Sequence, residues 1–143
     1  EGSVISDAVN IAARLEGLTK LYKTPLLISG DTLLGIDDLI FKTRLIDKVA
    51  VKGKVKPIMV YEVLDGETPD LRDKKSFMVP EFKKCYELYQ NQKFENALKM
   101  FKKYIEKIPE DNIGQIYVDR CKKILSTGWN PDKWDGINYM ENK

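Results

Sequence analysis

The sequence has no histidine, which removes the side chain that serves most often as a general base and as a zinc ligand. It has two cysteines, Cys85 and Cys121, too few to close a structural zinc site unaided. Both fall on apolar helical faces, so buried free thiols in a reducing compartment are expected rather than a disulfide. No apolar run approaches the roughly 20 residues that span a bilayer, so no membrane contact is expected within this stretch. The chain opens Glu1-Gly2-Ser3, without the basic start and apolar core of a signal peptide and without an initiator methionine. The expectation is a cytoplasmic fragment of a longer protein, whose upstream part can carry a membrane anchor. Charge imbalance is also lacking. Twenty-four basic and 22 acidic residues leave a net +2, which gives no footing for nucleic acid. The lysine pairs at 74–75, 83–84, 102–103 and 122–123 alternate with apolar positions at helical spacing and read as solvated helix faces.

What is present is ordinary for a soluble globular chain of one domain or two small pieces: 143 residues, 43% hydrophobic and 32% charged. The stretch Ser3 to Glu16 organises the first part. A short β-branched run, Val4-Ile5, meets a polar break at Ser6-Asp7, and Ser6 can cap the helix that follows. Ala8, Ile11, Ala12, Leu15, Leu18 and Tyr22 recur at helical spacing as one apolar face. Asn10 and Arg14 are four apart on a different face, one above the other. A planar guanidinium suits a phosphate through two parallel hydrogen bonds. On the residues alone, the pair reads either as an anion site or as a surface amide and guanidinium.

Thr24 to Ser29 reads as a short strand, Gly30 to Gly35 as a short helix with Asp31 near its start, Phe41 to Val51 as a long strand and Ile58 to Leu64 as another. The last two form a hairpin if the turn lies between Lys52 and Pro57, where Gly53 and Pro57 punctuate. Asp65 to Val79 has Gly66, Pro69 and dense charge and reads as a linker. Pro80 suits the first turn of a helix. Three apolar stripes follow: Phe82, Cys85, Tyr86 and Tyr89; then Phe94, Ala97, Leu98, Phe101, Ile105 and Ile108; then Ile113, Ile116, Tyr117, Cys121, Ile124 and Leu125. Three amphipathic helices with short loops pack as antiparallel hairpins. The tail to Lys143 carries both tryptophans, Trp129 and Trp134, and reads as a docking strap rather than a disordered end.

Four blocks carry a resemblance. Val4-Ile5-Ser6-Asp7-Ala8-Val9-Asn10-Ile11-Ala12-Ala13-Arg14-Leu15-Glu16-Gly17-Leu18 resembles the strand–helix segment of class III adenylate/guanylate cyclase catalytic domains, with an Asn and an Arg four apart. Tyr22 to Ser29 resembles the next strand, Arg44 to Lys54 the late Lys-Gly-Lys strand, and Pro57 to Leu64 the closing strand. The likeness covers residues 1 to about 64. The family's usual Gly before Asp7 is Ser6 here, the mark of a subfamily variant. The block Leu88…Gln92…Phe94…Ala97…Phe101…Pro109 resembles one tetratricopeptide repeat, with Glu81 and Cys85 near the places of its missing Trp and Gly.

The expected fold class is therefore α+β: the C-terminal portion of a ferredoxin-like nucleotidyl cyclase domain (1–64), a linker (65–79), a tetratricopeptide-like helical region (80–126) and a Trp-containing tail (127–143). The resemblance implies conversion of ATP, rather than GTP, to 3′,5′-cyclic AMP and pyrophosphate. It implies that Asn10 positions the ribose, that Arg14 stabilises the phosphate in the transition state and that Lys52 contacts the terminal phosphates. Ser3, seven before Asn10, falls at the base-selecting position. It further implies two Mg or Mn ions in the intact parent enzyme, held by aspartates outside this chain, with none bound by the fragment alone, and a homodimer whose site forms between subunits. The fragment alone is expected to be inactive, and the helical extension to offer a surface to a protein partner. The alternative is a non-catalytic interaction module on a degenerate cyclase fold. A truncated sheet leaves unpaired edges, so pairing between copies is expected as well.

Overall fold

Leu18 and Tyr22, four apart and fully buried, anchor one long helix, α1 (Gly2–Tyr22). The computed structural model describes residues 2–34, 41–51 and 56–140; for residues 2–10 and for Val51 it describes the backbone alone. The Val4-Ile5 run, expected to be a strand ahead of the helix, is helical and lies within α1. Two β-branched residues cost a helix only a few tenths of a kcal/mol each. Each added helical turn gains backbone hydrogen bonds, whereas a strand there would need a neighbour, and no described strand pairs with it. Ser6 is accordingly inside α1 rather than at its N-cap.

The central segments follow the expected order. β1 (Leu27–Ser29) leads directly into a one-turn helix, α2 (Gly30–Leu33), whose N-cap Ser29 hydroxyl accepts from the Thr32 amide at 3.2 Å. β2 (Thr43–Val51) and β3 (Ile58–Val63) form the antiparallel pair, and β1 adds antiparallel to the far side of β3. The register of β2 on β3 contains one irregularity. Leu45 faces Tyr61 and Asp47 faces Val60, so Ile46 is an extra residue, a β-bulge. Alternation would send Arg44 and Ile46 to one face and Asp47 and Val49 to the other. The bulge resets it, and all four are buried.

A 3-10 turn (Leu64–Gly66) then leads into α3 (Pro69–Gln90), α4 (Phe94–Lys107) and α5 (Asn112–Thr127). The stretch from Asp65 to Val79, expected as a linker, is thus mostly helix. Pro69 takes the first helical position, where its missing N–H is no loss. The dense charge there disguised an inward residue, because Lys75 is buried with its ammonium 2.7 Å from Glu62 and 2.9 Å from Glu67. Pro80 lies inside α3, not at its start; it is on the exposed side, where water can serve the carbonyl that its missing N–H leaves.

A single hydrophobic cluster runs through all layers. It contains Leu18 and Tyr22 of α1, Ile46, Val49 and Val60 of the sheet, and Phe82, Phe101 and Tyr117 of the three helices. Phe82 sits edge-on to Phe101, Tyr104 and Tyr117, while Phe101 stacks on Tyr117 at 4.9 Å between centroids. Such pairs contribute about 0.5–1.5 kcal/mol each beyond area burial. Gly114 lets α5 approach α4 closely; a Cβ there would meet Ile105 Cγ2 at 2.6 Å.

The tail returns over the helices to the sheet. The Trp134 indole donates to the Gln90 carbonyl at 2.8 Å and the Trp129 indole to Gln92 Oε1 at 2.9 Å, both rings edge-on to Phe94. Gly136, at φ +72°, packs where a Cβ would fall 1.8 Å from Gln90 Oε1. β4 (Asn138–Met140) then pairs parallel to β2, Asn138 opposite Val49 and Met140 opposite Val51, giving the sheet order β1-β3-β2-β4. The far edge of β2 is therefore covered by the chain's own tail.

Cys85 and Cys121 are both buried free thiols. Burial pushes Cys85 up to about 11 and Cys121 up to about 12, so neither is a thiolate at neutral pH. Thiol titration should find both unreactive in the native protein and both reactive in denaturant; a fast-reacting native thiol would contradict this packing.

Candidate functional site

Asn10 and Arg14 lie on α1 at a spacing of four, about 6 Å along the axis. The same row continues to Leu18 and Tyr22. Arg14 is half-buried at the border of the packed face, and the side chain of Asn10 lies outside the described set. Arg14 thus borders the apolar face. Ser3 is a helical residue of α1 whose side chain is not described, and Lys52 lies outside the described residues, just past the end of β2. Of the four expected site residues, the described side chains therefore include Arg14.

The sheet face toward the helices carries two buried ionic networks that the periodicity did not reveal. Arg44, opposite Glu62 in register, donates through Nε to Glu62 at 2.8 Å. Its Nη1 and Nη2 reach the two Asp111 oxygens at 2.7 and 3.0 Å, Nη1 also donates to the Tyr104 hydroxyl, and the guanidinium stacks 4.7 Å from the centre of the Phe82 ring. Asp111 also caps α5 by accepting from the Ile113 amide. Burial by itself would push the Asp111 carboxyl up; the Arg44 charge, with hydrogen bonds from Arg44 and Tyr104, outweighs it and holds the carboxyl below its ordinary range.

The second network centres on Asp47, brought inward by the bulge. Its carboxylate accepts from the Tyr22 hydroxyl, from Arg120 Nη2 at 2.8 Å and from the Tyr117 hydroxyl at 3.2 Å. Arg120 also lies over the Tyr117 ring at 4.9 Å. Burial raises the Tyr22 and Tyr117 hydroxyls, which stay neutral donors. The charges of each network are paired across the layers and tie helices to sheet. The signal that could have found them is local: Arg44, Asp47 and Glu62 are charged residues in strands otherwise rich in Leu, Ile and Val.

Among the described residues, no group of three or more His, Cys, Asp or Glu is placed to hold a metal ion. A cleft of about 60 Å³ between α3 and α4, lined by Glu81, Lys103 and Lys107 among others, is far below the roughly 300–1,000 Å³ of ligand clefts.

The chain is 38% identical over 129 residues to a protein of Dictyostelium discoideum named "Adenylate cyclase, terminal-differentiation specific". The chain is a relative of adenylate cyclases. This match takes in 89% of the chain and 6% of the relative. A match of that length exceeds either the sheet portion or the helical portion alone, so the likeness to the cyclase runs through both. A second relative, named "Adenylate cyclase", of Anabaena cylindrica, is 48% identical over 65 residues, 44% of the chain and 13% of that cyclase. The chain thus spans a small fraction of the length of the cyclases it matches. No protein-family model and no solved structure matches it. No helix among the described residues is long and apolar enough to cross a membrane.

Proposed function

We propose that this chain is the C-terminal part of a ferredoxin-like catalytic domain, with a tetratricopeptide-like helical extension, in an enzyme that converts ATP to 3′,5′-cyclic AMP and pyrophosphate. The observation that carries the reading is the identity to proteins named adenylate cyclase, joined to the Asn10–Arg14 pair on one helix. In the reaction the ribose 3′-oxygen attacks the α-phosphorus, and the bond to the pyrophosphate oxygen breaks. Asn10 orients the ribose. Arg14 pairs its guanidinium with the phosphate oxygens as negative charge builds on them, which a planar fork does through two hydrogen bonds at once. Lys52 holds the terminal phosphates, and Ser3 reads the base edge, with ATP favoured over GTP. The residues described here do not fit a divalent-ion centre; the Mg or Mn ions of the intact enzyme would be held by carboxylates from outside this chain, across a homodimer interface.

The test is cyclic AMP formation from ATP by the longest protein that carries this chain, beside the 143-residue chain alone, with manganese present. Product from the first and none from the second is expected. Turnover by the short chain would overturn the half-site reading, and silence of both would favour a non-catalytic module that binds a protein partner.

A further inference from the structure

Among the described side chains of helix α1, Leu18 and Tyr22 are the fully buried ones, and the Tyr22 hydroxyl meets the Asp47 carboxylate. Asp47 is held in turn by Arg120 of α5, and Asn112, the first residue of α5, donates to the Leu21 carbonyl at 3.2 Å. The geometry points to Tyr22 and Arg120, joined through Asp47, as positioning residues that set the orientation of α1 and thereby aim Asn10 and Arg14; this rests on the cyclase reading above. The three helices then work as part of the catalytic scaffold and not only as a surface for a partner.

The lever argument gives the size. Arg14 lies roughly 12 Å along the axis from Tyr22, at 1.5 Å per residue. A tilt of about 10° at the anchor moves Arg14 by about 2 Å, and a misplacement of about 1 Å can cost on the order of 100-fold in rate. The bulge at Ile46 is what makes the anchor available, since without it Asp47 would face away from α5 and α1. Asp47 is held by side chains of two other elements, α1 and α5, and by the Lys48 amide of its own strand, so a shift of the carboxylate toward one partner weakens its hold on another.

The experiment compares Tyr22→Phe, Arg120→Met, Arg120→Lys and Arg14→Ala in the full-length enzyme, with the exposed-pair variant Lys74→Met as control. Tyr22→Phe and Arg120→Met should each lower kcat by about tenfold or more with KM within about twofold, because a misaimed Arg14 loses contact in the transition state more than in the ground state. Arg120→Lys, which keeps a cation for Asp47, should recover part of the rate, and Lys74→Met should match the unaltered protein. If Tyr22→Phe and Arg120→Met both stay within twofold in kcat while Arg14→Ala loses activity, the positioning role is wrong and the cyclase reading stands. If Arg14→Ala also keeps its full rate, the reading itself fails. Should Arg120→Met not fold, Tyr22→Phe, which removes one oxygen atom, decides the matter.

Discussion

Arg14→Ala should lower cyclic AMP formation on the order of 100-fold or more, by analogy with removal of a single donor aimed at developing oxyanion charge. The change leaves Leu18 and Tyr22, the fully buried residues among the described side chains of α1, in place, so the fold should survive. The loss should appear in kcat, with KM little altered, if the contact strengthens as charge builds on the α-phosphate. Arg14→Lys should recover little, since an ammonium cannot make the two parallel bonds of a planar fork. Steady-state assays of the three proteins decide it; a near-normal rate for the alanine variant removes Arg14 from the chemistry.

Arg44→Met should destabilise the chain by about 3–5 kcal/mol, the usual consequence of removing one partner from a buried ion pair. Arg44 serves Glu62 and Asp111 together, and both carboxylates are fully buried. Lys75 still holds Glu62 in the variant, but the Asp111 carboxylate keeps only the Tyr104 hydroxyl and the Ile113 amide. A drop in melting temperature of about 10 °C is expected for a chain of this size, and a change under about 2 °C would show that the network is not a major support. Acid adds a second reading. Asp111 has its folded-state pKa held below its ordinary value of 3.8, so the folded protein binds fewer protons there than the unfolded chain. That contribution is complete above the unfolded value and is lost as pH falls through the lower folded one. Stability should therefore fall with acidification below about pH 4, and the fall should be shallower in Arg44→Met.

The helices and the hairpin were legible because their signals are local. The three apolar stripes that give α3, α4 and α5 follow from spacing, and the strands β2 and β3 from β-branched runs; the turn expected between Lys52 and Pro57 lies largely outside the described residues. The start of α3 was not legible, because Lys75 reads as solvated until Glu62 and Glu67 from elsewhere surround it. Nor was the extent of α1, since Val4-Ile5 fits a strand locally, and no described strand pairs with it. The inward turn of Asp47 depends on one extra residue in β2, and a bulge leaves no mark in the alternation until the register on β3 is known. For the candidate site, Asn10 and Arg14 stood out by spacing and resemblance; Tyr22 and Arg120, which we propose set the orientation of their helix, are 98 positions apart in the sequence and come together at Asp47.

The return of the tail to β2 has a consequence for how the molecule is assembled. A parallel partner for β2 arrives from residues 138–140, after three helices have been traversed. β1, β2 and β3 are made before the strand that completes their sheet, which follows only after the three helices. The open side of β2 is thus exposed through the whole passage of α3 to α5, several seconds at roughly 5–20 residues per second. During that interval the nascent chain presents a free strand edge, and closure of the sheet becomes a late step that depends on α3 having folded to give Gln90 as a dock for Trp134.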